Sequence, residues 1–183
     1  MTRKAAAINL LSMDNPPPPD AEGMLLELGS GDSGFSGTPV STGDATFREF
    51  IEHCRAQAIG QNLSEGWVPN TTYWIVVDGK AAGLLRLRHY LNDALRHKGG
   101  HIGYYVRPTC RGRGAATQSL ALALPLAKAL GQARVMLTTN PSNTHSIRVI
   151  EANGGTLTAT LNEQSDNNGS VTTETILQYW INT

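Results

Sequence analysis

The chain is poor in cysteine, carries no surplus of either charge, and lacks any apolar run long enough to span a bilayer. Its two cysteines, Cys54 and Cys110, belong to no C-x-x-C pair, which excludes a disulfide framework or a cysteine zinc site and points to a reduced compartment. Fifteen basic residues balance fifteen acidic ones for a net charge of +0. A nucleic-acid scaffold would need a basic face able to displace counterions from phosphates, so that class of function is excluded. The longest apolar stretch, around Leu120 to Leu130, is interrupted by Pro125 and Lys128 and falls short of the roughly 20 residues of a membrane helix. Arg3 and Lys4 precede a short apolar segment in the order of a signal peptide, but Asn9 breaks it. A cytoplasmic protein with no membrane or nucleic-acid partner is the expectation.

What is present suffices for one domain: 183 residues, 40% of them hydrophobic, can bury a sizeable core. Residues 1–40 include Pro16 to Pro19 and the run from Gly29 to Gly37, a composition expected to resist regular structure. Met24 to Leu28 is the one strand expected there. Residues 41–183 are expected to form a single domain. Asp44 is placed to cap a helix carrying Phe47, Phe50, Ile51, Cys54 and Ala58 at helical spacing.

Thr72 to Val77 and Ala81 to Tyr90 are strand-like runs joined by Asp78-Gly79, a dipeptide suited to a type I′ hairpin. Gly100 to Arg107 reads as a third antiparallel strand, followed by a helix from about Gly112 to Leu130. Pro125 removes a backbone bond from that helix at a cost of about 3 kcal/mol unless the chain bends, so a kink is expected there. A strand from Arg134 to Thr139, a helix from Asn143 to Asn153 and a final hairpin from Thr156 to Ile181 complete the chain. Antiparallel strands followed by a crossover imply an α+β fold, an α/β sandwich.

The richest segment is V-R-P-T-C-R-G-R-G-A-A-T, Val106 to Thr117. A strand there runs into a helix through a turn rich in glycine and arginine. The first amides of a helix have no intrahelical partner and carry the positive end of its dipole, which makes such a turn an anion site. A P-loop would continue with Gly-Lys-Ser/Thr, and here Ala115, Ala116 and Thr117 follow. A dinucleotide fold would end its next strand on an acidic residue, and here Asn140 stands.

Arg111, Gly112, Arg113, Gly114, Ala115 and Ala116 match the signature loop Arg/Gln-x-x-Gly-x-Gly/Ala. Downstream, N-T-H-S-I-R-V-I-E-A-N-G-G from Asn143 to Gly155 matches a second motif, an asparagine, a helix and a glycine turn. Two motifs in this order resemble the GNAT superfamily of acyl-CoA-dependent N-acyltransferases, over roughly Ala45 to Gly155, and look like a bacterial subgroup of predicted acetyltransferases. The resemblance implies a mixed, mostly antiparallel sheet of six to seven strands, helices on both faces and a splayed central strand pair. It implies acetyl-CoA as co-substrate, no metal, direct transfer to a primary amine of a small molecule or peptide, and a homodimer, since the family often dimerises.

In that reading, backbone groups of Tyr105 and Val106 hold pantetheine, the loop from Arg111 to Ala116 holds pyrophosphate, and Asn143 and Ser146 touch the pantetheine arm. Asn143 as a plain helix cap is the alternative. His101 is the first candidate for the base that takes the amine proton, since imidazole titrates near neutrality; a histidine bonded within the sheet is the alternative. His89 and Glu65 are further candidates. The family's acid, a tyrosine, aligns with Ile150, leaving Ser146, Tyr105 or an unprotonated thiolate. Cys110 as an acyl carrier is a minor alternative. Arg86, Arg88, Arg96 and Lys98 suit an anionic acceptor, the 3′-phosphate of CoA, or a solvated face. The absent tyrosine also fits a second reading, a catalytically weak acyl-CoA-binding or sensor protein.

Overall fold

The computed structural model describes residues 6–167 and 170–183; Arg3 and Lys4 of the signal-like segment lie outside them. The first element of the described residues is β1 (Ile8–Ser12), and Met24 to Leu28, expected as a strand, lies in helix α1 (Ala21–Leu28). Ala21, Met24, Leu25 and Leu28 are the buried residues of α1, a spacing of three, one and three that only a helix turns to one side. Met24 and Leu25 are fully enclosed, each worth about 1.5–3 kcal/mol, which outweighs the poor autonomy of so short a helix. Residues 6–40 therefore hold regular structure that composition did not foretell. A tight hairpin, β2 (Gly31–Asp32) with β3 (Phe35–Ser36), and the short helix α2 (Pro39–Thr42) follow.

Helix α3 (Phe47–Ala58) starts two residues later than the Asp44 expectation. Thr46 is its cap: the Thr46 hydroxyl accepts from the Glu49 amide at 3.2 Å and the Glu49 carboxylate accepts from the Thr46 amide at 2.8 Å. That reciprocal pair satisfies two orphan donors, whereas Asp44 accepts instead from the Thr42 hydroxyl at 2.6 Å. Strands β4 (Asn70–Val77) and β5 (Lys80–Arg88) form the expected hairpin, with Asp78 and Gly79 at φ 50° and 81° as a type I′ turn requires. A one-turn helix α4 (Asp93–His97) leads into β6 (Ile102–Val106). Together β1-β4-β5-β6 make a four-stranded antiparallel sheet.

Helix α5 (Ala115–Ala129) stays helical through Pro125. Pro125 and Ala121 both lie on its exposed side, where water can take the carbonyl that the proline leaves without a donor. Then come β7 (Arg134–Thr139), α6 (Thr144–Ala152), β8 (Thr156–Asn167) and β9 (Ser170–Asn182); residues 168–169 of the final hairpin lie outside the description. The second sheet is three-stranded, β7-β9-β8, again antiparallel.

Helices cover both faces. Leu120, Ala123 and Ala127 of α5 and Ile150 of α6 pack with Ile75, Leu85 and Leu87 on one side. Met24 and Leu25 of α1 and Phe50 of α3 pack with Trp74 and Leu84 on the other. The two sheets meet at the neighbouring edges of β6 and β7, and that junction positions the site.

Candidate active site

At the junction, the His101 amide donates to the Met136 carbonyl at 2.7 Å and the Met136 amide donates to His101 Nδ1 at 2.8 Å. Since an amide can only donate, Nδ1 is unprotonated and the neutral ring carries its proton on Nε2. His101 is 7% exposed, and burial, with Arg96 and Arg88 adding like charge, pulls its imidazole down to about 4. Gly100 makes the approach feasible, because at its φ of +62° an added Cβ would stand 2.4 Å from the Met136 carbonyl oxygen. His101 is not among the residues that line the cavity below. The expectation of a base at His101 gives way to the sheet-bonded alternative.

Beyond this clasp β6 and β7 share no ladder, and a cavity of about 1030 Å³ opens between them. Ile102 to Val106 form one wall, Leu137 to Asn140 the other, and Asn143, Ser146 and Val149 of α6 close the side. The β2–β3 hairpin covers it through Ser33 and Phe35.

The far end is the glycine loop. Gly112 and Gly114 take φ of +71° and +78°, a region costly for side chains. Nothing comes within 4 Å of a Cβ built at Gly112, and only Gln118 Nε2, at 4.0 Å, reaches one at Gly114. Gly114 caps α5 with no side-chain bond. The amides of Ala115, Ala116 and Thr117, all on the cavity wall, are thus left to an external acceptor. Of the two arginines of the loop, Arg111 lines the cavity and Arg113 does not. Arg111 Nε donates to the Val106 carbonyl at 2.7 Å, its guanidinium pairs with Asp32 and lies 5.9 Å over the Tyr105 ring, so it braces the loop. The hydrogen bonds from Ser33 and then Arg111 hold the Asp32 carboxyl below its usual value. Arg113 is exposed and off the wall.

Ser146 is brought to the cavity, where its hydroxyl bonds the Tyr104 phenol at 2.9 Å. Burial pushes Tyr104 up to about 12, against the Ser146 bond, so it stays a proton donor across the neutral range. Sequence reasoning missed Tyr104. Successive strand residues face opposite sides, so the doublet Tyr104-Tyr105 held the signal that only one of them faces α6. Tyr105 packs instead toward Phe35, ring centres 6.3 Å apart. Asn143 is confirmed as a cap, its Oδ1 accepting from the Ser146 amide at 3.1 Å, and it lines the cavity as well. Ile150 is fully enclosed in the core. His89, Glu65 and Cys110 are absent from the wall; His89 Nε2 bonds the Thr71 hydroxyl at 2.9 Å.

Two arginines of β5, Arg86 and Arg88, also reach the cavity. Arg88 is satisfied, donating to the Gly99 and Gly100 carbonyls at 3.0 and 2.9 Å. Arg86 is not: its Nε is enclosed without a hydrogen-bond partner, and its guanidinium lies 5.5 Å over the Phe35 ring and 5.9 Å over Trp67.

An extended slot between two sheets thus ends at the start of α5, whose N-cap Gly114 offers its first amides no side-chain acceptor. The profile of the Acetyltransferase (GNAT) family matches residues 43–154, and the chain belongs to that family; it is an acyl-CoA-dependent acetyltransferase. Solved structures share the fold. Mycobacterium smegmatis RimJ in complex with CoA-disulfide is 22% identical with a TM-score of 0.65, the alignment covering 97% of this chain and 81% of that one. The structure of yncA from Salmonella typhimurium with its cofactor acetyl-CoA is 15% identical with a TM-score of 0.61, covering 96% and 93%. An N-acetyltransferase from Staphylococcus aureus Mu50 is 16% identical with a TM-score of 0.63, covering 97% and 98%. A search of curated proteins gave no match. Among the described residues no helix is long and apolar enough to cross a membrane.

Proposed function

We propose that the protein transfers an acetyl group from acetyl-CoA directly to a primary amine of a small molecule or peptide. The observation that carries this is the opening of the β6–β7 slot onto the uncapped start of α5. Bound acetyl-CoA supplies the activated thioester, and the residues fit it. The amides of Ala115, Ala116 and Thr117, reached past the bare Gly112 and Gly114, donate to the pyrophosphate oxygens. Of the two expected pantetheine contacts, Tyr105 is turned away, its carbonyl lying against Gly83 of β5, and the Val106 carbonyl is taken by Arg111; the Val106 amide is left for the pantetheine arm, with Asn143 and Ser146 across the slot. The amine must arrive without its proton, which at a pKa of roughly 10 demands a base or a dry pocket. As the new C–N bond forms and the C–S bond breaks, the nitrogen sheds one proton and the departing thiolate takes one up; the Tyr104–Ser146 hydroxyl pair gives the thiolate its proton and is restored by the one the nitrogen releases. The free thiols of Cys54 and Cys110 support action in the cytoplasm.

Calorimetry with acetyl-CoA and thiol release across an amine panel test the reading; a protein with no saturable acetyl-CoA binding would sink it. The second reading, acyl-CoA binding with little turnover, is favoured by one observation, the burial of Ile150 at the position where an acid would stand. Tight binding with no thiol release from any amine would select it.

A further inference from the structure

Arg86 is a cation set into the protein with nothing to neutralise it. Among the described residues no carboxylate pairs with it, and its enclosed Nε has no partner. The groups facing it are the Phe35 ring, the half-exposed Trp67 ring and, more distantly, the Cys54 thiol and Arg88. Burying a charge without a partner is costly, and native proteins retain such an arrangement where a ligand completes it. The rings flank the guanidinium while its N–H edge, the fork that grips a carboxylate through two parallel bonds, meets no acceptor among the described residues. Arg86 also lines the cavity.

Its position along the slot tells which ligand it serves. Arg86 pairs in register with Gly103, and Val106 lies three residues further along β6, roughly 10 Å toward the glycine loop. Phosphates held at the start of α5 are therefore at the opposite end from Arg86. The end near Arg86 is the one next to the His101–Met136 clasp, where the acyl group and the acceptor must meet. We infer that Arg86 binds a carboxylate carried by the amine acceptor, so that the substrate class is amino acids or peptides whose carboxylate lies close to the reactive amine.

The inference rests on the proposed acetyl transfer, and its test separates the two. Thiol release with acetyl-CoA is compared for phenylalanine and leucine against phenethylamine and isopentylamine, which lack only the carboxylate. The acids should be favoured in kcat/KM, and Arg86→Gln should erase that preference, raising KM for the acids by about tenfold to a hundredfold. In the same variant the plain amines should lose far less than the acids, and retained calorimetric binding of acetyl-CoA certifies its fold. Arg86→Lys, keeping charge without the fork, should fall between. Equal use of acids and amines by the native protein overturns the inference while acetyl transfer stands. An Arg86-dependent preference for succinyl-CoA over acetyl-CoA overturns it too, since the carboxylate then belongs to the donor. If no amine turns over, a phenylalanine titration of tryptophan fluorescence, with Trp67→Phe as control, still reads the site. A saturable response that Arg86→Gln abolishes supports carboxylate binding, and no response refutes it.

Discussion

His101 and Met136 exchange two hydrogen bonds across the junction of the sheets, one backbone to backbone at 2.7 Å and one backbone to imidazole at 2.8 Å. This clasp is the hinge of the slot, and it makes the histidine a building element. His101→Ala should leave the Met136 amide buried without an acceptor, costing about 1–3 kcal/mol. Denaturant unfolding checks this; a variant that unfolds like the native protein but has lost turnover would restore His101 as a base.

The clasp also predicts a pH dependence. Because the imidazole sits at about 4 in the folded protein against 6.5 ordinarily, the unfolded chain takes up the proton first as pH falls. The stability from the neutral ring is complete above about pH 6.5 and is lost progressively as pH drops toward 4. Melting temperature followed from pH 8 to 4 should fall across that window in the native protein, and less in His101→Asn.

Gly114→Asp should abolish acetyl-CoA binding. The residue caps α5 at φ +78° with its Cβ direction open, so an aspartate is strained there and brings negative charge to the α5 amides. Gly114→Ala shares the strain without the charge and should weaken binding less. Calorimetry distinguishes them; equal losses would mean that backbone strain alone is responsible.

Legibility followed the range of the interactions. The bounds of β7 and the Asn143 cap were readable because strand alternation and capping are decided within a few residues. The cap at Thr46 was missed by two positions because Asp44 and Thr46 are both competent, and only the Glu49 carboxylate decides between them. Helix α1 was hidden because the window Met24 to Leu28 omits Ala21, and because its burial depends on Trp74 far along the chain. The glycine loop was legible as an anion site from φ-permissive residues at a helix start. The roles of His101, Tyr104 and Arg86 were not, since each is set by partners 35 or more residues away or, for Arg86, by the partner it lacks.

Tyr104→Phe and Ser146→Ala form a cycle. Ser146→Ala strips the half-buried phenol of its bond at 2.9 Å, whereas the double variant leaves no unpaired group, so its loss of stability should be smaller than the sum of the singles. If the pair protonates the departing sulfur, either single variant should lower kcat by about a hundredfold or more with acetyl-CoA binding intact. Additive stabilities would show that the hydroxyls are not coupled.

Ile150→Tyr would place a phenol at the family's usual acid position, and it should destabilise the protein without speeding it. Ile150 is fully enclosed, and α6 turns so tightly after it that a Cβ at Gly155 would stand 2.3 Å from Ile150 Cγ2. A larger ring there overpacks the core at about 1–3 kcal/mol, and a buried phenol needs a partner of its own. The melting temperature should drop by roughly 2–4 °C for each kcal/mol lost, with no gain in thiol release. A variant that folded as well as the native chain and released thiol faster would mean that the pocket still accepts the tyrosine. The hydroxyl pair at Tyr104 and Ser146 would then not be the proton source that the site relies on.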